Sequence, residues 1–184
     1  MKSIIKFFDT LFGTGQTPQH EVEKPAPATR DIPAPAPPGE DRSESEAALG
    51  CFDQALAIDP QDARAWFDKS IALGGLGRFE EALHCLNRAL AIDPANANAW
   101  FYKASALAEL ERHDEAVDCY NEALLIVPLW ARPWGYKGLS EDKLGHGRKA
   151  MTAYRKFLEL AGPKDAGQIE LVRRRLHEME SKGI

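Results

Sequence analysis

The sequence predicts an all-α protein, an α-solenoid of stacked antiparallel helix pairs. Three observations carry this. "ARAWFDKS" at 63–70, "ANAWFYKA" at 97–104 and "ARPWGYKG" at 131–138 each begin 34 residues after the last. Apolar residues from Ser45 onward recur at spacings of three and four, the helical signature. Breakers punctuate that stretch at intervals: Asp59-Pro60, Gly77, Asp93-Pro94, Val127-Pro128, Gly145 and Gly162-Pro163. No segment alternates with period two for long enough to make a strand.

The elements follow in order. Residues 2–12 form an amphipathic N-terminal segment (domain 1–12). On a helical wheel Ile4, Ile5, Phe7, Phe8, Leu11 and Phe12 fall within an arc of about 160°, with Lys2, Ser3, Lys6, Asp9 and Thr10 opposite. Residues 13–44 hold seven of the twelve prolines. Too little apolar surface is there to offset ordering entropy, so a disordered linker is expected. It reaches roughly 95 Å as polyproline II and about 30 Å as a coil. Residues 45–182 make the repeat domain. Its helices are expected at 45–58, 63–76, 79–92, 97–110, 113–126, 131–144, 147–160 and 165–181.

Aligning the units at 34 residues exposes rows with distinct physical tasks. Ala82, Ala116 and Ala150 coincide, as do Ala55, Ala89 and Ala123; small residues let helix backbones approach. Trp66, Trp100 and Trp134 coincide, and Phe52, Leu86, Tyr120 and Tyr154 form a second bulky row. These fill the wider gaps. Removing one such Trp side chain, if fully buried, costs about 3–5 kcal/mol. Pro60, Pro94 and Pro128 end the second helix of each pair, because proline disfavours helix in the residue before it. Asp62 and Asn96 cap the next helix. Trp130 occupies that cap position in the third unit; it packs on Trp134 or contacts a partner. One pair cannot bury its apolar face alone, but stacked neighbours can.

These residues resemble the tetratricopeptide repeat family, whose 34-residue unit carries W…G/A/S…L…A…A…P. Units 63–96 and 97–130 match closely. Unit 131–164 departs at Glu141, where a large apolar residue is usual, at Phe157, in place of a small Ala, and at Gly162-Pro163, shifted by one. Residues 45–62 match a half repeat. The helix 165–181 resembles the solvating cap of such arrays, with Ile169, Val172, Leu176 and Met179 on one face and Arg173, Arg174, Arg175, Glu170, Glu178 and Glu180 on the wet side. The resemblance implies a right-handed superhelix whose first helices line a concave groove.

The resemblance also implies the groove residues. They are Arg64, Phe67, Asp68 and Ile71 in the first unit, Asn98, Phe101, Tyr102 and Ser105 in the second, and Arg132, Gly135, Tyr136 and Leu139 in the third. Such a surface would hold a peptide by aromatic contacts, with Arg64 or Arg132 on a carboxylate. An aromatic at the fifth place is common in the family, so Phe67 and Phe101 also read as repeat-typical. Some members clamp the C-terminal carboxylate of heat-shock chaperones. Of the matching places here, Phe67, Ile71, Tyr102, Arg132 and Tyr136, only Arg132 fits that clamp, and the activity is not expected.

Other classes are disfavoured. The net charge of −5, with 28 acidic against 23 basic residues, argues against nucleic acid. No run of 18 apolar residues exists to span a bilayer. Cys51, Cys85 and Cys119 occupy one repeat position, too far apart to bridge or share a metal, and read as reduced, semi-buried fillers. Scattered histidines and the lack of a glycine-rich phosphate loop leave no catalytic, cofactor or metal site. The expectation is a non-enzymatic module that binds a protein or peptide. Alternatives are a membrane-surface adaptor anchored by residues 1–12 and a self-associating homo-oligomer. The segment 2–12 itself is open between a lipid interface, a docking surface on a partner or in this chain's own groove, packing on the repeat body, and no fixed structure. The setting is expected to be cytoplasmic.

Overall fold

The structure, a computed structural model, describes residues 42–183, and the side chains from Ser45 onward. The amphipathic segment 1–12 and almost all of the linker 13–44 lie outside the described residues. Among those described, eight α-helices follow one another: α1 Arg42–Ile58, α2 Ala63–Gly75, α3 Phe79–Ile92, α4 Ala97–Glu109, α5 His113–Ile126, α6 Ala131–Lys143, α7 Gly147–Leu160 and α8 Ala166–Ser181. A 3₁₀ turn, Pro163–Asp165, precedes α8. The first helix begins at Arg42, three residues into the stretch assigned to the linker.

Two of the helix starts and all three pair turns have a local cause. Asp62 accepts the Ala65 N–H at 3.0 Å and Asn96 accepts the Ala99 N–H at 3.0 Å, capping α2 and α4. Trp130 stands at the same place before α6 and caps nothing. The pair turns are built alike. The N–H of Arg78, Arg112 and His146 reaches back to the carbonyl of Leu73, Leu107 and Glu141, each at 2.9 Å, closing the first helix of its pair. This closure needs a left-handed residue. Gly77 and Gly145 supply it at φ +75°, but the second unit places Glu111 there at φ +60°.

The stack is held by layers that share side chains. Trp66 packs against two core clusters, one with Leu49, Leu73, Ala82 and Cys85, the other with Phe67, Leu86, Ala89, Leu90 and Ala99. Trp100 joins that second cluster to the large one around Phe101, Tyr120, Tyr136 and Tyr154. Trp66, Trp100 and Trp134 are half-buried, so the cost given for a fully buried ring does not apply to them in full. The indole N–H of Trp66, Trp100 and Trp134 donates to the carbonyl of Pro60, Pro94 and Pro128, at 3.0, 2.9 and 3.3 Å. Lys69, Lys103 and Lys137 lie over the same rings, 5.7, 5.1 and 5.0 Å from the centroids. The recurrent Trp-x-x-Lys is thus one unit: indole, proline carbonyl and ammonium.

The third unit accommodates its departures. Glu141 is 3% exposed and its carboxylate lies 2.8 Å from His146 Nδ1, a polar pair in place of the leucine of earlier units. Phe157 is fully buried and shares its cluster with Val172, Leu176 and Met179 of α8, so the bulk seats the closing helix. Ile169 is only partly buried, while Gln168 is 2% exposed. Arg175 leaves the wet side assigned to it: its guanidinium makes a two-point contact with Asp142 of α6, at 2.7 and 2.8 Å. That pairing holds Arg175 well above its usual pKa.

Cys85 and Cys119 are buried free thiols, and burial raises both, Cys119 to about 11. Cys51 is exposed instead of semi-buried. It sits on the half repeat, where no described helix precedes α1 to cover it.

Candidate partner-binding face

Direct contacts run between α2 and α4 and between α4 and α6, across each intervening second helix. The first helices of the pairs therefore share one side of the solenoid, and the sequence-assigned residues lie on these three helices.

Their accessibility divides them. Arg64 is exposed, and Asp68, Ile71, Asn98, Tyr102, Arg132 and Leu139 are half-buried. Phe67, Phe101, Ser105 and Tyr136 are buried, with 2, 3, 8 and 2% of their surface exposed. As contacts these four are corrected: they have almost no surface to offer. Phe67 and Phe101, at the fifth place, pack against Tyr102 and Tyr136 of the next pair. Tyr136 is covered by Phe101 and Tyr120 of the preceding pair, and Ser105 faces Tyr120 of its own pair. Gly135 is buried as well.

Phe101 is the hub beneath the face. Its ring meets Tyr102 at 5.5 Å, Tyr120 at 5.9 Å, Tyr136 at 5.4 Å and Trp130 at 5.0 Å. Trp130 is 4% exposed, and this contact, with the preceding unit rather than Trp134, explains its place. The Ser105 hydroxyl donates to the Phe101 carbonyl at 3.0 Å. Arg132 lies over the Phe101 ring at 5.3 Å, so a rigid aromatic floor aims its guanidinium.

At the other end Arg64 Nε donates to Asp68 Oδ2 at 2.8 Å. The second oxygen of Asp68 is buried without a hydrogen-bond partner. Tyr102 stands between the two ends, edge-on to Phe67 at 5.5 Å. The accessible surface thus runs from an Arg–Asp pair, over a tyrosine and two aliphatic side chains, to a second arginine. The alternation of one apolar patch with two guanidinium groups suits a segment with apolar side chains and a carboxylate. Among the described residues no three His, Cys, Asp or Glu side chains come together as a metal-ion set. None of the described helices is long and apolar enough to cross a membrane.

Residues 67–131 match the tetratricopeptide repeat family model. That segment, about a third of the chain, is tetratricopeptide repeat in sequence. The chain's solenoid is similar to that of solved MamA structures. The MamA RS-1 ArsTM double mutant aligns with a TM-score of 0.69 at 22% identity, over 77% of this chain and 77% of that one. A MamA crystal structure aligns at 0.64 and 18% identity, over 77% and 92% of the respective chains. MamA 41-end from Desulfovibrio magneticus RS-1 aligns at 0.63 and 19%, over 77% and 88%. At these identities the likeness speaks to the fold. Comparison with curated proteins finds no match. The matched repeat segment supports a protein-interaction scaffold.

The sequence reading did not assign the Lys69, Lys103 and Lys137 row to the indole rings. Its signal was visible in the three-residue spacing, since residues three apart on a helix are neighbours.

Proposed function

We propose that the chain holds a peptide or protein segment on the face of α2, α4 and α6, without catalysis. The observation that carries this is the half-buried Tyr102, Ile71 and Leu139 surface between Arg64 and Arg132, backed by the buried Phe101 floor. An aromatic anchor beside an aimed guanidinium is the usual composition of an energetically dominant contact. A cytoplasmic setting agrees with three free cysteines.

The test uses the full chain as bait, with Tyr102→Ala and Arg132→Ala in parallel. Both side chains reach the surface, so circular dichroism should report folded proteins. Each substitution should weaken a captured ligand by more than about 1 kcal/mol, roughly fivefold. Equal binding by wild type and both folded variants refutes this face. A membrane-surface adaptor rests on residues 2–12 alone. Its test is flotation of the full chain with anionic vesicles, abolished by Phe8→Glu.

A further inference from the structure

The repeat is broken at one edge that the proposed ligand face does not include. At the end of α5 and the turn after it, Leu125, Ile126 and Leu129 are 73, 39 and 61% exposed. The two preceding units place Ala57 and Ala91 where Leu125 stands, and Gln61 and Ala95 where Leu129 stands. Packing of the solenoid does not ask for the larger side chains, since they are not buried. Single exposed apolar residues need no explanation, but a group at one turn does. The same helix carries exposed Glu122 and Asp118 one and two turns earlier, where the preceding unit has Arg88 and His84. The apolar edge therefore continues into an acidic strip found on this unit and not on the one before it.

We infer that this edge is the docking surface of the chain's own residues 2–12. That segment carries the apolar side chains Ile4, Phe8 and Leu11 on one predicted helical face, and it carries Lys2 and Lys6 against a single acid, Asp9. Its apolar arc matches the leucines and its charge matches the strip. Reach is sufficient. From the start of α1 to the end of α5 is about 25 Å along the helices, at 1.5 Å per residue. Two repeats of helix spacing add up to about 40 Å sideways. The separation is then at most about 50 Å, whereas residues 13–41 extend to roughly 90 Å. Tethering also selects the occupant. A covalent tether of this length presents the segment at an effective concentration near millimolar, so a weak contact closes within one chain. A second copy at micromolar concentration meets the same edge about a thousandfold less often.

Amide hydrogen exchange on the full chain at low micromolar concentration tests this. Exchange across residues 2–12 should be slowed about tenfold or more, the ratio of docked to open forms. Tenfold dilution should leave the slowing unchanged. The double substitution Leu125→Asp, Leu129→Asp should abolish it, while exchange within α2, α4 and α6 stays as in wild type, since both positions are exposed. Phe8→Glu should do the same from the other side. Free exchange of residues 2–12 in the wild type overturns the inference, as does slowing that ignores the leucine substitutions. Slowing that disappears on dilution assigns the edge to a second copy instead. Slowing that requires anionic vesicles assigns the segment to a membrane surface instead. Tyr102→Ala should leave the slowing intact, which separates this inference from the ligand face.

Discussion

Replacing Gly138 with alanine tests how tightly the third unit is closed. Gly138 lies inside α6, where an exchange to alanine ordinarily stabilises a helix by about 0.5–1 kcal/mol, because glycine loses more backbone freedom on folding. Here the sign should reverse. A Cβ on Gly138 would sit 2.6 Å from Cδ1 and 2.7 Å from Cε1 of Tyr154. That ring is 2% exposed, wedged between α6 and α7, and cannot swing aside as a flexible chain end would. Overpacking of this kind costs about 1–3 kcal/mol. The balance is a net loss of about 0.5–2 kcal/mol, measured as the urea midpoint at unchanged slope. The second unit has Ala104 at this place, opposite Tyr120, so the glycine records a closer approach peculiar to the third pair. Tyr154→Leu, borrowing the residue of Leu86, removes the obstructing ring atoms. In that background Gly138→Ala should be neutral or stabilising, a coupling of about 1–3 kcal/mol in the double-mutant cycle. A stabilised Gly138→Ala in the wild-type background, or the same cost in both backgrounds, refutes the reasoning.

Further outcomes are expected elsewhere. Trp100→Phe keeps most of the packing but loses the 2.9 Å bond to the Pro94 carbonyl and weakens the Lys103 contact. Chemical denaturation should show a loss of about 1–2 kcal/mol, against near neutrality if the ring were filler alone. Glu111→Gly should raise stability by about 0.5–1 kcal/mol, since it removes a left-handed glutamate and outweighs the glycine's entropy. Thermal melts that fall instead would show the φ of +60° to be unstrained. Burial holds His113 below the usual histidine pKa, and its Nδ1 has no hydrogen-bond partner. The unfolded chain then binds the proton first. Stability is complete above about pH 6.5 and declines as pH falls from there toward the depressed folded value. His113→Phe, the residue of Phe79 in the first unit, should flatten that decline between pH 6.5 and 5; an unchanged slope would assign it to other groups.

The sequence by itself determined the helices, their pairing and their stacking, because each signal is local or periodic. Capping by Asp62 and Asn96 needs three residues of context, and the proline stops need one. The row of Trp66, Trp100 and Trp134 needs only the 34-residue interval. Even the lysine over each indole was encoded in the i to i+3 spacing. Burial was decided by tertiary structure alone, because it depends on which neighbour arrives from another pair. Phe67, Phe101 and Tyr136 share a helix side with the accessible Tyr102 and Arg132, and it is the neighbouring pair, the next for Phe67 and Phe101 and the preceding for Tyr136, that hides them. Trp130 looked like a failed cap until Phe101 was placed 5.0 Å from it. Arg175 looked solvated until α8 settled beside α6 and brought Asp142 within 2.7 Å. Glu141 departs from the repeat pattern, yet His146 across the pair turn gives its buried carboxylate a partner. A one-dimensional period sets which residues lie on one helix face. The angle between successive pairs, a property of the packed stack, sets which of them water still reaches.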